Sequence, residues 1–276
     1  MNAKTPFTTP EDVGLSSTRL ARLPAHFGEY VKRGKLAGVS TLVSRAGKIA
    51  HFETVGERDR ENGLAMEKDT IFRIYSMSKP ITSVALMMLY EEGRFQLSHE
   101  VARYIPSFAN LKVWDGGTSD EYKTKPCERP MTIRDLLTHT SGLTYGFMHA
   151  HPVDKIYRKR GIDGAATANG MNLEVFCDAL SEIPLLFSPG TQWSYSVATD
   201  VCGRLVEILS GQSLDVFFQS RIFDPLGMVD TGFVVPKDKL TRFAANYEKD
   251  PRTREVRLFD MSDETSTYAS AKPFLS

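Results

Sequence analysis

The sequence is poor in cysteine: only Cys127, Cys177 and Cys202 occur in 276 residues. An odd number of thiols without metal-ligand spacing argues against a disulfide framework and against a zinc cluster. Free thiols suit a reducing compartment, and the start Met1-Asn-Ala-Lys-Thr-Pro lacks the apolar core of a secretory signal, so a cytoplasmic location is expected. No apolar run approaches the roughly 20 residues of a membrane span, and no membrane partner is expected. Charge of one sign is also missing. The 34 basic residues balance 34 acidic ones without a basic block, so nucleic-acid binding has no electrostatic support. No cofactor is called for, and no Gly-x-Ser-x-Gly elbow occurs, which leaves an ordinary Ser-His-Asp lipase unsupported. What remains is an ordinary globular composition, 41% hydrophobic and 25% charged, long enough for one large or two interleaved domains.

The most informative stretch runs from Phe72 to Leu89. An apolar run, Ile71 to Tyr75, leads into Ser76, and a helical pattern follows. Ile81, Val84, Ala85, Met88 and Leu89 recur at the spacing of one buried helix face. Pro80 is tolerated in a first turn, and Gly93 supplies a stop. Ser76 therefore sits at a helix N-terminus, where free N–H groups favour negative charge, and Lys79 projects over the same face. A serine becomes a nucleophile when a neighbouring base takes its proton, and a partly buried amine can assist. Taken alone, Ser-x-x-Lys reads first as a Ser N-cap followed by a solvated Lys.

Along the rest of the chain, a helix is expected between Ser17 and Lys35, kinked at Pro24 or starting nearer Leu23. Gly38–Arg45 and Lys48–Val55 read as a hairpin turning at Ala46-Gly47. His51 in its second strand reads as a packed or surface residue rather than a catalytic one. Residues 109–129 read as loop. Thr132 and Asp135 have the spacing of a helix capping box, and Ser141-Gly142 reads as the stop. From Leu143 to Asn172 a long surface loop is expected, followed by a helix over Leu173–Ser181. Pro189-Gly190 makes a turn before a brief extended segment, and a helix runs on to Ser210. Tyr195 thus stands at a loop-to-helix junction, from which a side chain can point into a cleft. Ser213 reads as the cap of a further short helix. Strand-like segments follow at Leu240–Glu248 and Glu255–Phe259.

Four of these segments together carry a resemblance. Ser76-Met-Ser-Lys79, Thr132-Ile-Arg-Asp-Leu-Leu-Thr-His-Thr-Ser-Gly142, Pro189-Gly-Thr-Gln-Trp-Ser-Tyr195 and Pro225-Leu-Gly-Met228 resemble the serine β-lactamase superfamily. They are most similar to the class C β-lactamase-like carboxylesterases, also called family VIII esterases. The resemblance implies an α/β two-domain, β-lactamase/transpeptidase-like fold: an antiparallel sheet flanked by helices plus an all-helical domain. On this chain the α/β part would comprise residues 1–75 and 225–276, and the helical domain residues 76–224. It also implies that Ser76 is the acylated nucleophile, Lys79 its activating partner and Tyr195 the phenolate-like base. His139 would support the cleft floor. The implied partner is a small-molecule ester.

Two departures qualify that expectation. Where the β-lactamase branch has Tyr-x-Asn, this chain has Val197, which cannot hold a lactam side chain by an amide; esters are favoured over antibiotics. Relatives also continue past the point where this sequence stops, into a strand bearing Lys-Thr-Gly or His-x-Gly. Neither tripeptide occurs after Tyr195, nor does Trp-x-Gly. The sheet is therefore expected to be incomplete in this chain, with an edge open to self-association or to a complementing chain. That strand supplies one oxyanion donor in the family, and losing one such donor costs about 10²–10³ in rate. The alternatives are a β-lactamase or D-alanyl-D-alanine carboxypeptidase relative, or a non-catalytic remnant.

Overall fold

A computed structural model of the chain describes residues 5–162, 170–266 and 269. These fall into two compact units: one takes the residues up to Arg73 and those from Val229 on, and the other is Ile74–Met228.

The first unit opens with α1 (Ser17–Leu20), capped where the Ser16 side chain accepts from the Arg19 N–H, and continues after Ala21 as α2 (Arg22–Lys32). The break explains Pro24. It lies in the first turn of α2, where its missing N–H would have no helical partner. β1 (Gly38–Arg45) and β2 (Lys48–Asp59) pair antiparallel. Ala46 and Gly47, both at positive φ, form the two-residue turn that suits the twist of the pair. β2 outruns its expected end at Val55 because β3 (Leu64–Ala65) pairs with its far end. His51 packs within β2 and bonds to Thr41 Oγ1 at 2.8 Å.

In the second unit, a 3₁₀ turn over Tyr75–Met77 leads into α3 (Ser78–Glu91), and Gly93 follows with φ 71°. The buried face of α3 is Thr82, Ala85, Leu86 and Leu89, rotated from the one the sequence implies. Val84 is exposed. Thr82 can be buried because its hydroxyl donates to the Ser78 carbonyl. Residues 109–129 hold a hairpin, β4 (Lys112–Gly117) with β5 (Tyr122–Pro126), rather than loop alone. Trp114 stacks on Tyr122 across it, 5.4 Å between rings. α4 (Ile133–Leu137) has the expected Thr132–Asp135 capping box but ends at Thr138, ahead of Ser141.

The expected surface loop after Leu143 is instead largely packed. It contains α5 (Pro152–Lys159), whose Val153, Ile156 and Tyr157 are buried; residues 163–169 of that stretch lie outside the described residues. α6 (Leu173–Ser181) is capped by Asn172 accepting from the Val175 N–H. α7 (Ala198–Ser210) ends at Gly211 in the left-handed conformation. α8 (Leu214–Phe218) begins after Ser213, which makes no side-chain cap bond, and runs into a π turn over Gln219–Phe223. α3 packs on α7, with Ala85, Leu86, Leu89, Val201 and Leu205 fully buried among the core of this unit.

The chain then re-enters the first unit. Most of Leu240–Glu248 is not strand: a 3₁₀ helix covers Lys237–Arg242, and β6 is only Asn246–Lys249, paired with β7 (Val256–Asp260). The Arg73 side chain donates to Asp260 Oδ2 and to the Met261 carbonyl, and its guanidinium lies 4.0 Å from the Phe243 ring centre.

Candidate active site

All three side chains that the sequence singles out belong to the second unit, and it brings them together. Ser76 sits in the 3₁₀ turn that feeds α3, after Tyr75 at φ 43°. A left-handed backbone at a tyrosine costs about 1–3 kcal/mol and marks a turn fixed by its surroundings. Lys79, three residues on, places Nζ 3.3 Å from Ser76 Oγ and donates to it. The Tyr195 hydroxyl donates to the same Oγ at 2.6 Å.

Tyr195 is delivered by backbone pairing between two distant segments. The Gly190 N–H donates to the Thr140 carbonyl at 2.8 Å, Ser194 to His139 at 2.9 Å and Val197 to Thr144 at 3.3 Å. This lacing needs two glycines. A Cβ at Gly142, where φ is 84°, would stand 2.4 Å from the Phe187 carbonyl oxygen, and one at Gly190 would overlap the Arg129 guanidinium. Beneath it, buried Asp135 accepts from Arg129 at 2.7 and 2.8 Å, from the Thr132 N–H and hydroxyl, and from the Thr140 hydroxyl. Burial works against the charge of Asp135, but these donors hold its carboxyl below the usual range.

Around the triad lie rings that the sequence did not assign to it. The Tyr145 ring is 5.4 Å from that of Tyr195 and the His139 ring is 5.0 Å from it. Lys79 Nζ lies 5.1 Å from the Tyr195 ring centre and 5.5 Å from that of Tyr145. Burial first, and then the charge of Asp200 and the proximity of Tyr195, push the Tyr145 phenol well above its ordinary value, so it stays protonated. Burial and the positive charge of Lys79 lower the His139 pKa, which favours the neutral ring. His139 bonds through Nδ1 to Ser196 Oγ at 3.3 Å. Tyr145 escaped sequence reading because only the 139–144 pairing carries it to Tyr195; its position just after the Ser141-Gly142 turn was the available signal. Val197 is buried at the start of α7.

Among the described residues no group of three or more His, Cys, Asp or Glu side chains is placed to hold a metal ion. Once the phenol has given up its proton, its oxygen can take that of the serine hydroxyl while the nearby ammonium steadies the charge.

Comparisons with known proteins point to one family. The family model described as Beta-lactamase matches residues 23–272. Esterase EstB of Burkholderia gladioli is 35% identical over 240 residues, 87% of this chain and 57% of that protein. The lovastatin esterase of Penicillium rubens is 32% identical over 232 residues, 82% of this chain and 56% of that protein. Among solved structures, EstCE1, described as a hydrolase with promiscuous acyltransferase activity, superposes with a TM-score of 0.75 at 29% identity, covering 88% of this chain and 59% of that one. The chain spans a little over half the length of the curated relatives it matches. With the match to the family model extending over nearly all its residues, the chain belongs to the Beta-lactamase family and has the β-lactamase/transpeptidase-like fold.

Proposed function

We propose that the protein hydrolyses carboxylic esters through an acyl-Ser76 intermediate. The observation that carries this reading is the convergence of Tyr195 Oη at 2.6 Å and Lys79 Nζ at 3.3 Å on Ser76 Oγ. In acylation Tyr195 acts as the phenolate, having first lost to solvent the proton it donates in the resting bond: its oxygen takes the Ser76 proton while Oγ bonds to the ester carbonyl carbon and the carbonyl π pair moves onto the carbonyl oxygen. The Lys79 ammonium stabilises the negative charge that moves between the two oxygens. Collapse of the tetrahedral species breaks the bond to the alcohol, which leaves with the proton from Tyr195. Water, deprotonated by Tyr195, then releases the acid and restores Ser76.

An alcohol in place of that water would give acyl transfer, and this second reading is supported by the acyltransferase activity stated for EstCE1. Esters rather than β-lactams are favoured because Val197 is apolar and buried where an amide would be wanted. The three free cysteines support a cytoplasmic location, and no described helix is long and apolar enough to cross a membrane. The end position of β1 in its sheet, with Leu42 exposed, supports pairing with a second copy, which light scattering would detect as a dimer.

The test is a rate comparison. Short-chain p-nitrophenyl esters should be hydrolysed far faster than a chromogenic cephalosporin. Comparable rates would favour a β-lactamase, and no turnover of either would favour a non-catalytic protein.

A further inference from the structure

The rings at Tyr195 form a chain of contacts that runs outward in both directions. From Tyr195 it passes to Tyr145 at 5.4 Å and on to Phe147, stacked at 4.7 Å and 23° on Tyr145. The other way it passes to His139 at 5.0 Å and on to Trp193 at 6.3 Å, edge to face. The inner rings are buried or half-buried, yet the terminal ones are open: Phe147 is 54% exposed and Trp193 67%. Neither terminal ring is needed to fill the core. Each is instead held in orientation by a partner that itself packs on the group bonded to Ser76.

We propose that Phe147 and Trp193 are specificity-determining residues, two aromatic walls that take the apolar substituents flanking the ester carbonyl. The inference rests on the hydrolase reading above and deepens it. Any ester that places its carbonyl carbon on Ser76 Oγ must lay its acyl and alcohol groups across the surface that surrounds Tyr195. Exposed rings there gain by covering apolar area and by stacking, and a pre-oriented ring loses little freedom in doing so. The preferred substrates are therefore esters carrying an aryl or bulky alkyl group. Small, polar esters, which leave both walls wet, are poor ones.

Phe147→Ala and Trp193→Ala are compared with the parent protein on two p-nitrophenyl esters, the acetate and the 3-phenylpropanoate, and on two butyrates, methyl and benzyl. In at least one of these pairs each variant should lower the large-to-small ratio of kcat/KM by on the order of tenfold. Titration calorimetry with 3-phenylpropanamide and N-benzylbutanamide, which are not turned over, reads the walls without catalysis. Each variant should weaken binding of at least one amide by a similar factor. Ratios and amide affinities unchanged in both variants overturn the proposal even if esters are hydrolysed well. Amide binding that depends on the rings in a protein that hydrolyses no ester upholds the walls and removes the hydrolase reading. A parent protein that neither hydrolyses the esters nor binds the amides overturns both.

Discussion

Replacing Tyr195 by Phe removes one atom from the centre of the proposed machinery and leaves nearly everything else in place. The ring contacts to Tyr145 and His139, at 5.4 and 5.0 Å, persist in Phe, and so do the backbone bonds of Ser194 and Val197 to the 139–144 segment. What is lost is the hydrogen bond to Ser76 Oγ at 2.6 Å. A positioned acid or base contributes about 10²–10⁴ in rate, so kcat should fall by that factor, equivalent to about 2.7–5.5 kcal/mol in the barrier. Stability should change by no more than about 1 kcal/mol, the net worth of one hydrogen bond at a half-exposed site. The assay is p-nitrophenyl butyrate hydrolysis under saturation beside a thermal melt of the same sample. Lys79 still touches Oγ in the variant, so slow labelling of Ser76 by a fluorophosphonate should survive. A variant that keeps its fold and a kcat within tenfold of the parent would refute the role given to Tyr195.

Other consequences concern the frame that holds this cluster. Asp135→Ala removes the acceptor for Arg129, Thr132 and Thr140 and should cost about 1.5–3 kcal/mol in chemical denaturation, because charge-assisted bonds to a buried carboxylate are lost while the partners, none of them buried, can turn to water. The folded carboxyl of Asp135 holds its proton less tightly than an unfolded one, so its contribution is complete well above about pH 4 and is lost as pH falls through the lower folded value. A pH series of melts should show this acid-side loss in the parent and a smaller one in the variant. Gly142→Ala places a Cβ against the Phe187 carbonyl at a positive φ and should destabilise by about 2–4 kcal/mol, lowering activity through the displaced 139–144 segment. Unchanged melting of the Gly142 variant would show that the segment shifts freely.

Much of the site was legible because its chemistry sits at helix boundaries, and helix boundaries leave local marks. The Thr132–Asp135 box and the Pro189-Gly190 turn both act on neighbours within a few residues. Ser76 and Lys79 share one helix start, so their spacing alone brings them near one another. The hidden features depend on long-range pairing. β4 and β5 are short, β4 ends on Gly116 and Gly117, and their pairing is secured by Trp114 on Tyr122, a contact no alternation reveals. α5 was obscured by its cap, where His151 accepts from Val153 in place of a commoner capping residue. The face of α3 was misplaced because Thr82, counted as polar, is buried by bonding back to its own helix, while Val84 faces out. Tyr145 reaches Tyr195 only through segment pairing across some fifty positions of sequence.

The central claim is that Ser76 becomes covalently acylated. Intact-mass spectrometry of the protein quenched during reaction with p-nitrophenyl butyrate, or after a fluorophosphonate, followed by peptide mapping, measures it directly. The account predicts a single adduct on the peptide containing Ser76 that is absent from Ser76→Ala. An adduct on another residue, or one that persists in Ser76→Ala, would contradict it.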